Sequence, residues 1–334
     1  MKLDIFNHIF PRKFFDKMVE VAPNGADMHK RVRNIPCIVD LDERFRIMDL
    51  FDDYQQVICL GSPPLEVFGP PPVSTELAQI ANDGMAELVR KYPHRFPGFI
   101  ASLAMNDPEG LLKEAKRAVT ELGALGVQVF SNVLGSPLTK PETMPLFGLM
   151  AELDRPIWLH PARGADFPDY KSEKKSHYEI WWTFGWPYET SAAMAHIVFS
   201  GIFDLYPSIK IITHHLGAMI PYFAGRVGPG WDQLGNRTSD EDYTVLLKKL
   251  KKRPLDYFYM FYADTALFGA RDATVCGLKF FGTDKVLFSS DMPFDPEKGS
   301  AYIRWTIEII DSLDITAAER FAIYEGNARK LLRL

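Results

Sequence analysis

Eight short apolar runs recur along this chain, separated by longer stretches with helical periodicity. The runs are rich in Val, Ile and Phe, and their alternation with helices is typical of a parallel sheet covered by helices. The predicted strands span residues 3–10, 55–61, 96–103, 126–130, 156–161, 210–216, 258–264 and 285–293. The clearest helical patterns span residues 42–51, 75–92, 108–122, 190–205 and 317–332. Eight strands alternating with helices predict a closed α/β barrel, the (β/α)8 or TIM barrel.

The length of 334 residues suits one barrel domain, residues 1–334, with loops inserted near 11–40, 61–74 and 162–187. Hydrophobic residues make up 47% and charged residues 24% of the chain, so it can bury a large core. The main alternative fold is an open doubly wound sheet, which requires a glycine-rich phosphate-binding turn after an early strand. Since no such motif follows an early strand here, the sequence favours the barrel.

Charge and cysteine spacing exclude several classes of function. The net charge is −5 and the basic residues are scattered, which argues against a nucleic-acid partner. Cys37, Cys59 and Cys276 lie too far apart in the sequence for a disulfide framework or a zinc knuckle. No secretory leader follows Met1, and no long uncharged apolar run is present. We therefore expect a cytoplasmic protein with no membrane association.

Four polar residues stand at the carboxyl ends of predicted strands: His8, His160, His215 and Asp291. In a parallel barrel these ends meet at one mouth, where active sites are built. A single histidine at such a place is more often a core or rim residue, but four on different strands favour a site. Two imidazoles and a carboxylate suit zinc or manganese. His214 is expected to point the other way on its strand, as a core or supporting residue.

The chain resembles the second family of the amidohydrolase superfamily, whose members include decarboxylases of γ-resorcylate and aminocarboxymuconate semialdehyde. The resemblance covers nearly the whole chain and rests on an ordered series of motifs. These are Asp4-Ile-Phe-Asn-His8, Ile157-Trp-Leu-His-Pro161, Gly185-Trp-Pro-Tyr-Glu-Thr190, His215-Leu-Gly-Ala-Met-Ile-Pro-Tyr222, Phe261-Tyr-Ala-Asp-Thr-Ala266, Ser289-Ser-Asp-Met-Pro-Phe294 and Gly326-Asn-Ala-Arg329.

The resemblance implies roles for the four strand-end residues. His8, His160 and Asp291 match the family's metal-ligand positions, and His215 matches its active-site histidine. Asp291 and His215 are the expected catalytic residues. The expected cofactor is one divalent ion, zinc or manganese.

The resemblance also implies a substrate pocket. Trp186 and Phe294 match pocket-lining positions, and Arg31 or Arg33 is the nearest match to an arginine that holds a substrate carboxylate. Phe6 is assigned to the same pocket.

Phe6 is also where the sequence departs from the family. The family usually has His-x-His or Glu-x-His on the first strand, and a phenyl ring cannot bind a metal ion. The metal site is therefore expected to be weaker or more open than in relatives. The lysine that bridges two metals in dinuclear relatives is missing at Ser131-Asn132, so at most one ion is expected.

The activity implied is decarboxylation of a small aromatic or muconate-type carboxylate, with Asp291 delivering the proton and His215 assisting. The same residues could instead use a metal-activated water to hydrolyse or hydrate a carbon–carbon, lactone or thioester substrate. A metal-free binding protein is a third alternative, because of Phe6. A homodimer or homotetramer is the expected assembly.

Overall fold

The predicted strands form one parallel sheet in this computed structural model, which describes residues 1–22, 30, 32 and 34–334. In chain order the strands are β1 (Lys2–His8), β2 (Tyr54–Cys59), β3 (Gly98–Ser102), β4 (Gly126–Phe130), β5 (Asn132–Val133), β6 (Ser136–Pro137), β7 (Ile157–His160), β8 (Ile211–Thr213), β9 (Tyr262–Asp264) and β10 (Val286–Leu287). β5 and β6 make a separate antiparallel hairpin. The other eight pair in the order β1-β2-β3-β4-β7-β8-β9-β10, and the barrel prediction is confirmed.

Hydrogen bonds between β1 and the segment after β10 join the first and last strands. The Ile5 amide donates to the Phe288 carbonyl at 3.0 Å, and the Asp291 amide donates to the Phe6 carbonyl at 3.1 Å. A third bond runs from the His8 amide to the Met292 carbonyl at 2.8 Å. These bonds close the barrel and fix two of the predicted site residues against each other.

The described helices surround the sheet. They are α1 (Arg12–Val21), α2 (Leu41–Met48), α3 (Val73–Lys91), α4 (Pro108–Thr120), α5 (Met144–Glu152), α6 (Ile180–Thr183), α7 (Gly185–Phe199), α8 (Ile202–Leu205), α9 (Ala224–Trp231), α10 (Thr244–Lys249), α11 (Pro254–Phe258), α12 (Arg271–Phe281), α13 (Ala301–Ser312), α14 (Ala317–Phe321) and α15 (Asn327–Leu332). None of these helices has both the length and the apolar composition of a membrane span.

Several elements are shorter or more divided than predicted, and two of these differences have a clear local cause. The helix predicted over 190–205 is interrupted at Gly201, whose φ of 77° is a left-handed conformation that ends a helix. The strand predicted over 258–264 begins only at Tyr262, because Pro254 starts a short helix in the preceding segment.

The barrel interior is filled by apolar side chains, and β1 brings an irregularity to it. The register of β1 against β2 shifts between Asp4 and Asn7. Because of this bulge, Ile5 and Phe6 both pack in the interior cluster although they are neighbours in sequence. Phe6 and His8, two residues apart on the strand, lie side by side at the mouth with their ring centroids 5.4 Å apart.

A buried carboxylate lies in the loop after β2. Glu66, in a 3-10 turn over Leu65–Phe68, is only 3% exposed. Neither of its carboxylate oxygens makes a hydrogen bond of good geometry within the described structure. Burial raises the pKa of Glu66 to about 7, although the backbone amides of Glu66 and Met105 oppose the shift. The charged form is therefore disfavoured in the folded state.

Glu66→Gln is expected to stabilise the protein at pH 8 and to leave it nearly unchanged at pH 4.5. A carboxyl whose pKa rises from 4.5 to about 7 on folding holds its proton more tightly when folded, so stability is lost as pH rises through that window. The gain in the free energy of unfolding at pH 8 should be about 3 kcal/mol. Urea unfolding at both pH values measures it, with the exposed Glu142→Gln as control. Equal effects of Glu66→Gln at both pH values would contradict this account.

Candidate metal centre and active site

Four side chains converge at the mouth of the barrel: His8, His160, His214 and Asp291. One donor atom from each lies within 4.8 Å of the others, and all four residues are buried. They come from the carboxyl ends of β1, β7, β8 and β10, where the fold places an active site. The group has the donor types and the size for a single metal ion.

His8 is oriented by the loop after β2. Its Nδ1 lies 3.0 Å from the Leu60 carbonyl oxygen, to which it donates, and its Nε2 lies 2.8 Å from Asp291 Oδ1. With Nδ1 donating, either a proton or a cation must lie between Nε2 and the carboxylate oxygen, because each offers a lone pair. The pair therefore fits a metal site.

His160 is held in the same way. Its Nδ1 donates to the Pro161 carbonyl at 2.7 Å, which leaves the Nε2 lone pair for the group. Burial, together with the nearby His214 and His8, lowers the pKa of His160 well below its usual range. The imidazole is therefore neutral, which is the form that binds metals.

His214 joins the group although the sequence placed it on the other face. His214 keeps the extended backbone of β8, with φ −78° and ψ 160°, and lies two residues after Ile212, which packs in the barrel interior, so it faces the mouth. The chain turns only at His215, whose φ is 52°. The expectation that His214 points away from the mouth is therefore wrong. Its Nδ1 donates to the buried carboxylate of Asp264, and its Nε2 lies 3.4 Å from Asp291 Oδ1.

The charge of His214 depends on two carboxylates. Burial works against protonation, but Asp264 and Asp291 together raise the pKa of His214 to about 9. Without a metal the imidazole carries a second proton at neutral pH, and a bound metal ion would displace it. An imidazole held by a carboxylate at Nδ1 is a common arrangement at metal sites.

Asp291 lies among the imidazoles. Its Oδ2 is 3.7 Å from His215 Nε2. Burial opposes its ionisation, yet His214, His215 and His8 hold the pKa of Asp291 well below its usual range. Its φ of 62° is a left-handed conformation that a non-glycine residue adopts at a cost of roughly 1 kcal/mol or more. The backbone is thus strained at a point where function is expected.

His215 is close to the group but separate from it. Its side chain is buried, and burial and the neighbouring His214 lower its pKa. Its Nδ1 makes no hydrogen bond within the described structure. His215 can therefore contact a molecule bound beside Asp291.

Aromatic rings wall the group. The Phe6 ring centroid lies 5.6 Å from that of His160 and 4.3 Å from that of His214. The ring centroids of Phe294 and His8 are 5.7 Å apart, and those of Trp186 and His160 are also 5.7 Å apart. The three pocket residues expected from the sequence are thus next to the donors. Arg31 and Arg33 lie outside the described residues.

Two supporting residues were not singled out in the sequence. Asp264 fixes His214, and the fully buried Arg44 donates from Nη1 to the His8 carbonyl at 2.7 Å. Asp264 follows the same strand-end pattern as the other site residues, and that pattern could have revealed it. Arg44 lies in the middle of a helical pattern, where an arginine is normally exposed, so no sequence signal marks it.

A parallel barrel with three imidazoles and a carboxylate at its mouth is the arrangement of the metal-dependent hydrolase type of (β/α)8 barrel. The chain belongs to the amidohydrolase family, whose family model matches residues 58–334. The resemblance seen in the sequence is confirmed.

Several similar proteins are decarboxylases. Gamma-resorcylate decarboxylase from Polaromonas sp. strain JS666 is 31% identical over 307 residues, covering 88% of this chain and 87% of that protein. The 2-amino-3-carboxymuconate-6-semialdehyde decarboxylase of Dictyostelium discoideum is 29% identical over 350 residues, covering 100% and 92%. A solved dihydroxybenzoic acid decarboxylase from Polaromonas sp. JS666, with bound manganese and 2-nitroresorcinol, is 26% identical with a TM-score of 0.79, covering 100% and 97%. These similar proteins are carboxy-lyases.

Proposed function

We propose that this protein is a metal-dependent decarboxylase of a small aromatic or muconate-type carboxylate. The observation that carries the proposal is the buried group of imidazoles and one carboxylate, walled by Phe6, Trp186 and Phe294. Flat apolar walls beside a cation site suit a planar substrate that carries a carboxylate. The decarboxylase relatives support the same class of substrate.

His8, His160 and Asp291 would hold one manganese or zinc ion. When bound, the ion supplies positive charge that holds the substrate carboxylate and an adjacent oxygen. The residues fit such an ion because Nδ1 of each histidine donates a hydrogen bond to a backbone carbonyl, which leaves Nε2 free to bind the metal.

Asp291 would carry the proton. The Asp291 side chain must accept a proton before the reaction and then deliver it to the substrate ring carbon that bears the carboxylate group. The bond from that carbon to the carboxylate breaks, its electron pair takes up the proton, and carbon dioxide leaves. His215, 3.7 Å from Asp291 Oδ2, would hold or polarise the substrate oxygen beside the reacting carbon.

The rest of the pocket follows from the sequence. Arg31 or Arg33 would hold the substrate carboxylate, and Phe6, Trp186 and Phe294 would contact the ring of the substrate. A cytoplasmic location fits three cysteines without a disulfide. A homodimer or homotetramer remains the proposed assembly.

Release of carbon dioxide from 2,6-dihydroxybenzoate and related aromatic acids, with manganese or zinc supplied, tests the proposal. Carbon dioxide is expected in a one-to-one ratio with the decarboxylated product. Incorporation of oxygen from labelled water into the product, without carbon dioxide, would overturn decarboxylation in favour of hydration or hydrolysis. Loss of carbon dioxide release in Asp291→Asn would exclude uncatalysed decarboxylation.

A further inference from the structure

We infer that His214 is a metal ligand and that it replaces the ligand that β1 lacks at Phe6. The inference rests on the proposed metal dependence and assigns separate roles to two adjacent histidines. His214 would bind the metal, and His215 would face the substrate.

Phe6 leaves β1 with one donor at the mouth. Its side chain is fully buried and its ring lies against the rings of His8, His160 and His214. A phenyl ring offers no lone pair to a cation. Phe6 therefore occupies space beside the donors without contributing to the metal site.

His214 supplies a donor at the same place from across the barrel. Its ring is the nearest of the three imidazoles to Phe6, with centroids 4.3 Å apart. Its Nε2 is buried and makes no hydrogen bond of good geometry within the described structure. Asp291 Oδ1 lies 3.4 Å away without good hydrogen-bond geometry, and a metal ion among the four donors would satisfy this nitrogen better.

Asp264 prepares His214 for this role. It sits at the end of β9, fully buried, and accepts a hydrogen bond from His214 Nδ1. Its other oxygen accepts from the Ala266 amide at 3.1 Å, which fixes the carboxylate. A carboxylate in this position orients the ring so that Nε2 faces the metal and increases its basicity.

His214 and His215 lie ring to ring, with centroids 3.8 Å apart, but only His214 belongs to the group of four donors. His215 has a φ of 52° and Leu216 a φ of 50°, so the chain turns sharply just beyond β8. His215 contributes no donor to the group, and its Nε2 lies 3.7 Å from Asp291 Oδ2. The turn thus brings two adjacent imidazoles to one mouth at different positions.

The test is manganese affinity, measured by elemental analysis after dialysis against graded Mn²⁺ concentrations. His214→Ala is expected to weaken binding about 100-fold or more, and Asp264→Asn about 10-fold to 100-fold. His215→Ala should bind manganese as the wild type does. Introducing Phe6→Glu into His214→Ala should recover at least about tenfold of the lost affinity, since it restores a donor beside His8. Thermal unfolding of every variant shows whether it is folded.

The result that would overturn the inference is a folded His214→Ala protein that binds manganese as the wild type does, or equal losses for His214→Ala and His215→Ala. Failure of the proposed function has a different signature. In that case the wild type would bind manganese through His214 yet release no carbon dioxide from any aromatic acid.

Discussion

Asp291→Asn should reduce kcat/KM for decarboxylation by about a thousandfold, because removing a general acid typically costs 10²–10⁴ in rate. The amide keeps the shape of the side chain and one oxygen, but it can no longer accept and deliver a proton. Initial rates of carbon dioxide release measure the effect. Asp16→Asn, the same chemical change on the exposed face of α1, is the control and should retain the wild-type rate.

Metal content must be measured in the same samples. Asp291 is also a proposed ligand, so a variant that lost both metal and activity would not isolate the proton transfer. The decisive comparison is made with manganese added until both proteins are equally loaded. Wild-type turnover by a loaded Asp291→Asn protein would refute the proposed proton carrier.

His160→Ala is expected to lose the metal. Wild-type protein should purify with about one equivalent of manganese or zinc, and the variant with less than about a tenth of that, because a buried ligand is removed without a replacement. Elemental analysis gives both values. His196→Ala is the matched control, since His196 is exposed on α7 and distant in sequence from the donors.

Full metal content in folded His160→Ala would show that the ion binds elsewhere. If neither protein held metal, even after incubation with Mn²⁺ and Zn²⁺, the mouth of the barrel would be a binding site for an organic ligand without a metal ion.

The strand ends could be predicted from the sequence because each buried strand leaves a pattern that can be recognised. Buried parallel strands appear as short apolar runs, and the polar residue that closes each run lies at the mouth. This reasoning placed His8, His160 and Asp291 on three strand ends, and the structure brings their donor atoms together.

His214 was beyond that reasoning for a local reason. Alternation puts only one of two adjacent strand residues at the mouth, and the sequence did not show that Ile212 and His214 form the interior pair. His215 also reaches Asp291 because the chain takes left-handed backbone angles at His215 and Leu216, and such a turn depends on packing distant in the sequence. The bulge in β1, which puts both Ile5 and Phe6 in the barrel interior, is hidden as well, since a register shift depends on the pairing with β2.

The hydrogen bond between His8 and Asp291 spans 283 residues of sequence. Domains are synthesised from the amino terminus, at about 5–20 residues per second. While residues 9–290 are being added, therefore, the growing chain presents His8 without its partner, and the donors can meet only after the last barrel strand has left the ribosome. A chain terminated before Asp291 cannot assemble the complete group of donors.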